Sequence, residues 1–201
     1  TDPRKERRRL EDALERAKNE LEALQTELKA SADHNKAAIF AAHQELLEDP
    51  GLLDIVESAL AKGKSADYAW HGAFDTQAER LAKLKNVVMA GRAADLRDVG
   101  RRVLGILTGR PLEGPRVPPG AILLAEDLTP SEIAKIDPKE VLGLATVGGG
   151  ATSHVAILAR ALDIPCVGRL TGLRDKVSEG DPAIVDAETG EAYLRPRPDV
   201  V

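Results

Sequence analysis

Gly148-Gly149-Gly150-Ala151-Thr152-Ser153-His154 joins an apolar run over residues 141–147 to a second one that begins at Val155. The first run is short and rich in β-branched and aliphatic residues, so it predicts a strand. Three glycines then break it, and Val155-Ala156-Ile157-Leu158-Ala159-Arg160 predicts a helix with Thr152 or Ser153 as its cap. Ile164-Pro165-Cys166-Val167 follows as a strand entered through proline, which places Cys166 in inert, buried packing. Upstream of the loop, Ala121-Ile122-Leu123-Leu124-Ala125 predicts a short buried strand. Thr129-Pro130-Ser131-Glu132 has the form of a helix start, with a capping box and proline in the first turn. Ala183-Ile184-Val185 and Ala192-Tyr193-Leu194 predict a hairpin joined around Glu188-Thr189-Gly190. Strand, glycine loop, helix and strand in this order describe a small α/β layer domain.

Upstream the texture changes. Before Gly109 the only prolines are Pro3 and Pro50, whereas Pro111, Pro115, Pro118 and Pro119 come in quick succession after it. A domain boundary is therefore expected near residues 109–118, with domains over 1–112 and 113–201. Leu10, Leu14, Ala17, Leu21, Leu24 and Leu28 fall on one stripe of a helix. Further helices are expected over about 36–48, 52–61, from Ser65 onward with Trp70, Phe74, Leu81, Leu84 and Val88 on one face, and over 92–107 up to Gly109. Helices with one apolar stripe each must bury those stripes, and an antiparallel bundle does so most simply. The leucine repeat also fits a dimeric coiled coil in a scaffold protein, although it lasts under about three heptads.

Of 201 residues, 30% are charged and 43% hydrophobic, which suits a folded domain rather than a disordered one. The formal charge is −5, with the acidic excess after residue 110, and this argues against a general nucleic-acid binder. No run of about 18 apolar residues could span a membrane, and the opening Thr1-Asp2-Pro3-Arg4-Lys5-Glu6 has no signal-peptide core. One cysteine excludes a disulfide framework, four scattered histidines make no metal-ligand pattern, and a cytoplasmic protein is expected.

Chemistry concentrates in the glycine loop. Glycines let backbone amides converge on one point, and a helix start favours an anion there. A neutral imidazole beside such a site, His154, is equipped to accept a phosphoryl group and surrender it again. The residues alone leave two readings open, a nucleophilic histidine and a capping one.

The run from Gly149 to Arg160, followed by Ile164-Pro165-Cys166-Val167, closely resembles the phosphohistidine segment of the phosphoenolpyruvate-utilising enzymes. Within them, Ala38-Ile39-Phe40-Ala41-Ala42-His43-Gln44-Glu45-Leu46-Leu47-Glu48-Asp49-Pro50 and Arg92-Ala93-Ala94-Asp95-Leu96-Arg97-Asp98-Val99-Gly100-Arg101-Arg102 resemble helices of the Enzyme I branch of the sugar phosphotransferase system. Fused multiphosphoryl transfer proteins share this part. The resemblance implies an antiparallel helical bundle followed by a small α/β swivelling phosphohistidine domain.

The implied activity is phosphoenolpyruvate-protein phosphotransfer, in which His154 is transiently phosphorylated and Gly149, Gly150, Thr152 and Ser153 hold the phosphate. The implied partner is HPr, the small phosphocarrier protein, docked on the helical domain through His43, Leu46, Asp49, His71 and Arg92. The sequence departs from the family pattern at Ala151, where Arg or Pro is common, and at Ile133, where a threonine would face the resting histidine. It departs again in the run Val167-Gly168-Arg169-Leu170-Thr171, which is about one residue shorter, and at Asn35, Ala41 and Gly51, where acidic side chains are usual. The phosphoenolpyruvate-binding barrel, with its magnesium, is expected to lie outside these residues. A monomeric internal fragment without cofactor or metal site of its own is expected. The rival readings are the mobile domain of a phosphoenolpyruvate synthase or pyruvate phosphate dikinase, and a non-catalytic helical scaffold.

Overall fold

The computed structural model describes residues 1–30, 34–149 and 153–201. Its chain divides into two compact units, Thr1–Leu112 and Glu113–Val201.

The first unit is built from α1 (Pro3–Ala30), α2 (His34–Leu46), α3 (Pro50–Ala61), α4 (Ala66–Lys83) and α5 (Val87–Thr108). On α1 the expected stripe is the covered face: Leu10, Ala17 and Leu21 are buried, while Leu14, Leu24 and Leu28 are half-buried. It packs on the other four helices of the same unit, so the stripe is satisfied within one chain. Side-chain pairs give the directions. Arg9 reaches the Leu107 carbonyl at 3.2 Å while Glu20 meets Arg102 at 3.1 Å, so α1 and α5 run antiparallel. Trp70 Nε1 donates to the Gly100 carbonyl at 2.8 Å, and both residues stand equally far from the α4–α5 turn, which makes that pair antiparallel too.

The α4–α5 turn departs from the periodicity. One continuous face through Leu84 and Val88 was expected, but α4 ends at Lys83. Asn86 caps a new helix by accepting from the Val88 amide at 2.9 Å. Leu84, Val87 and Val88 are left exposed at 52%, 90% and 69%. A local cap outweighed the apolar spacing.

Ser65 stands at the start of α4, yet its side chain makes no cap hydrogen bond. The carboxylate of Glu6, buried on α1, does this instead: its Oε2 accepts from the Ala66 amide at 2.8 Å and from Arg9 Nη1 at 2.7 Å. Glu6→Ala is expected to cost about 2 kcal/mol, because it strands a buried amide, whereas Ser65→Ala costs under about 0.5 kcal/mol. Urea denaturation of both variants checks this, and equal losses would refute the long-range cap.

The second unit contains β1 (Ala121–Ala125), α6 (Pro130–Ala134), β2 (Val141–Thr146), α7 (His154–Ala161), β3 (Cys166–Val167), α8 (Leu173–Lys176), β4 (Ala183–Asp186) and β5 (Glu191–Leu194). Parallel strands lie in the order β1-β2-β3, while β4 and β5 form the expected antiparallel hairpin. Ala121–Ala125 was expected to be buried but is half-buried along its length, because it lies at the sheet edge and pairs only with β2. Cys166 is likewise half-buried, since β3 is the opposite edge. The predicted capping box is present, with Thr129 Oγ1 accepting from the Glu132 amide and Glu132 from the Thr129 amide. Ile133 is fully buried, so its position is occupied by packing rather than by a polar group.

Candidate active site

The site grows from the end of the central strand. Thr146 is the last residue of β2 and is buried; its Oγ1 donates to the Gly148 carbonyl at 2.8 Å, folding the chain back on itself. The Val147 and Gly148 amides donate to the carbonyls of Ala125 and Glu126, which holds the departing loop against the end of β1. Gly149 has φ +77°, a conformation that favours glycine, and a Cβ there would lie a tight 3.2 Å from Ser153 Oγ.

Ser153 is extended (φ −67°, ψ 155°) and its Oγ accepts from the Ala156 amide at 3.3 Å, which makes it the cap of α7. His154 is the first residue of that helix and is half-buried. A helix start leaves amide donors in its first turn without an intrahelical acceptor, with the positive end of the dipole behind them. Gly149 thus lies against Ser153, and His154 follows at the head of α7. Gly150 and Thr152, with Ala151, lie outside the described residues.

A second loop closes on the first, and sequence reasoning missed it. The Arg169 amide donates to the Gly148 carbonyl at 3.3 Å and the Leu170 amide to the Thr146 carbonyl at 3.1 Å. Just before these contacts Gly168 approaches so closely that a Cβ would meet the Gly149 and Gly148 carbonyls at 3.2 and 3.3 Å. The turn from β3 therefore clamps the glycine loop, and the only sequence signal for it was a glycine two residues after Cys166. Burial pushes the Cys166 thiol up from its ordinary pKa while the nearby Arg160 charge opposes this, so it stays a thiol at neutral pH.

The expected partner-docking residues all lie in the helical unit, and one of them is corrected. His43 is completely buried: its Nε2 lies 3.1 Å from Asp95 Oδ1 and its Nδ1 3.8 Å from Asp98 Oδ2. An imidazole bonded to Asp95 through Nε2, with its Nδ1 buried and without a hydrogen bond, offers no surface to a partner; it ties α2 to α5. Leu46 is half-buried at the end of α2. Half-buried Asp49 spends one oxygen on capping α3, accepting from the Leu52 amide at 3.0 Å. His71 and Arg92 are exposed, and the His71 ring stands edge-on to Phe74 with centroids 5.3 Å apart. The exposed Leu84, Val87 and Val88 add an apolar patch at the α4–α5 turn that the periodicity had hidden. Among the described residues no cluster of His, Cys, Asp or Glu could hold a metal ion, and no helix is long and apolar enough to cross a membrane.

Comparison with known proteins matches both units. The family described as "PEP-utilising enzyme, mobile domain" matches residues 117–190, and "PEP-utilising enzyme, N-terminal" matches residues 1–92. The chain is 45% identical to a multiphosphoryl transfer protein of Rhodobacter capsulatus over 186 residues, which is 92% of this chain and 22% of that protein. It is 40% identical to a phosphoenolpyruvate-protein phosphotransferase of Geobacillus stearothermophilus over 195 residues, 96% of this chain and 34% of that one. The chain thus spans between about a fifth and a third of the length of these curated relatives. Among solved structures it is similar to an Enzyme I protein, nEIt, studied by NMR, with TM-score 0.64 and 35% identity, covering 98% of this chain and 81% of that one. It is also similar to an N-terminal domain described as "Enzyme 1 - Nitrogen", with TM-score 0.65 and 32% identity, covering 100% and 82%.

Proposed function

Because the chain belongs to the PEP-utilising enzymes, in their Enzyme I branch, we propose that it carries a phosphoryl group on His154 and exchanges it with an HPr-type phosphocarrier protein. One observation carries this reading: His154 opens α7 directly behind the clamped glycine loop, with Ser153 capping the helix. In the forward exchange a ring nitrogen lone pair of one histidine attacks phosphorus in line. The nitrogen–phosphorus bond of the other histidine breaks, and its imidazole leaves neutral. Each ring keeps the proton on its second nitrogen, so none is released. The loop's amides and hydroxyls would hold the equatorial oxygens as charge spreads over them.

The helical unit supplies the docking surface in this reading. Exposed His71 and Arg92, with Leu46 and Asp49, are the residues taken to meet the carrier, and Leu84, Val87 and Val88 add apolar area. His43 is removed from that set and holds the bundle together. The match of residues 1–92 to the family's N-terminal region favours this branch over a synthase or dikinase, whose mobile domain alone would match 117–190. In the whole enzyme the barrel domain, with magnesium, would charge His154 from phosphoenolpyruvate; this chain alone is proposed to be a monomer that works from phospho-HPr in the cytoplasm.

Incubation with radiolabelled phospho-HPr tests the proposal. Acid-labile, alkali-stable label on the chain is the expected result. A well-folded chain that takes no label from its cognate HPr would leave the non-catalytic scaffold reading standing and overturn this one.

A further inference from the structure

We propose that Arg169 is a cationic contact for the phosphoryl oxygens carried beside the glycine loop. The inference rests on the phosphoryl-carrier reading above and adds a residue to that site.

A cleft of about 700 Å³ lies in the second unit, and Gly149 and Ser153 share its lining with Arg160, Asp163, Cys166 and Arg169. Two guanidinium groups against one carboxylate give it a cationic balance. Arg116, Arg174 and Arg195 of this unit are ion-paired with Glu113, Glu126 and Asp181. Among the described residues Arg160 and Arg169 have no such partner. Their charge is therefore open to a ligand. Arg160 sits in the last turn of α7, where the helix carbonyls already attract it. Arg169 belongs to the turn that clamps the loop, with its own amide on the Gly148 carbonyl.

The backbone of Arg169 supplies an independent reason. It has φ +59°, in the left-handed region that disfavours an arginine. The adjacent glycine, Gly168, is committed to the close approach to the Gly148 and Gly149 carbonyls, so the left-handed position falls on the arginine after it. Arg195, also left-handed at φ +48°, is held by Asp181 and the Lys176 carbonyl; Arg169 is exposed and has no comparable hold among the described residues. A strained residue whose side chain makes no ion pair or hydrogen bond among the described residues is the pattern of a functional one. A guanidinium suits phosphoryl oxygens because two N–H groups meet two oxygens at once.

The test compares Arg169→Gln, Arg169→Gly and the control Arg197→Gln in the full 201-residue chain, with wild type alongside. Labelling from phospho-HPr should slow about tenfold or more in both Arg169 variants, the loss of one charge-assisted bond, and stay at the wild-type rate in the control. Arg169→Gly should melt no lower than wild type, because it removes the strain along with the charge. Labelling at the wild-type rate in Arg169→Gln overturns the inference and leaves the carrier reading intact; so does a slowed rate accompanied by a melting temperature in Arg169→Gly well below wild type. Inorganic phosphate titrated against the amide signals of Gly149, Ser153 and Arg169 separates the two sources of the anion. Saturable shifts with unchanged labelling would mark a site for free phosphate only, which also overturns the proposal. A wild-type chain that takes no label removes the carrier reading itself, and the inference with it.

Discussion

His154→Ala is expected to take no detectable label from phospho-HPr, a loss of more than about a thousandfold, while the protein melts close to the wild-type temperature. The two halves of that result have separate causes. Transfer needs a lone pair on a ring nitrogen, and none of the loop's amides or hydroxyls can form the intermediate in its place. Stability, by contrast, depends little on this residue. His154 is half-buried at the first position of α7, alanine is a good helix former, and the Ser153 cap is untouched. Truncating a half-buried side chain at a helix end costs about 1 kcal/mol or less. Label persisting in the variant would move the phosphorylated residue elsewhere, and a large fall in melting temperature would make His154 a structural cap.

The second large effect concerns the helical unit. Gly100→Ala is expected to destabilise it by about 2 kcal/mol, although alanine is the better helix former by about 1 kcal/mol. A Cβ at Gly100 would lie 2.5 Å from Cγ of Phe74 and 2.7 Å from both of its Cδ atoms. The ring cannot swing its base away, so Phe74 must move as a whole inside a core where it is 3% exposed. Overpacking of this kind costs about 1–3 kcal/mol. The displaced backbone also weakens the bond from Trp70 Nε1 to the Gly100 carbonyl, worth about 1 kcal/mol. Thermal unfolding reads the loss, roughly 10 °C for a unit of this size. Phe74→Leu should recover part of it in the double variant. Simple additivity of the two changes would rule out the clash, and a more stable Gly100→Ala would show that helix propensity prevails.

Much of this was legible along the chain. The stripe Leu10, Ala17, Leu21 is the buried face of α1. The glycine run does lead from a strand into a helix headed by His154. Gly109 ends α5 in the left-handed conformation, as its place after the last apolar position suggested. These are local facts, and local rules reach them. What periodicity could not deliver was competition between signals. Leu84 and Val88 keep the helical spacing but are exposed, because Asn86 starts a new helix between them.

Long-range pairing was invisible in the same way. Glu6 caps a helix sixty residues later, and nothing in the sequence near Ser65 announces it. His43 looked like a polar residue on a docking helix, yet the bundle buries it between Asp95 and Asp98. The sequence marks the run around Arg169 only by its shortness against the family pattern, which tells nothing of the arginine's backbone or charge.

By itself, then, the sequence determined the two-part architecture, the strand–glycine loop–helix unit and the histidine at its head, because dihedral freedom, capping and apolar period act over a few residues. Only the tertiary structure decided that His43 is sealed inside the bundle while His71 stays exposed. It also decided that the turn after β3 closes on the glycine loop with Arg169 at its edge. Those outcomes depend on which distant elements come to lie side by side, and burial and charge pairing are properties of that meeting.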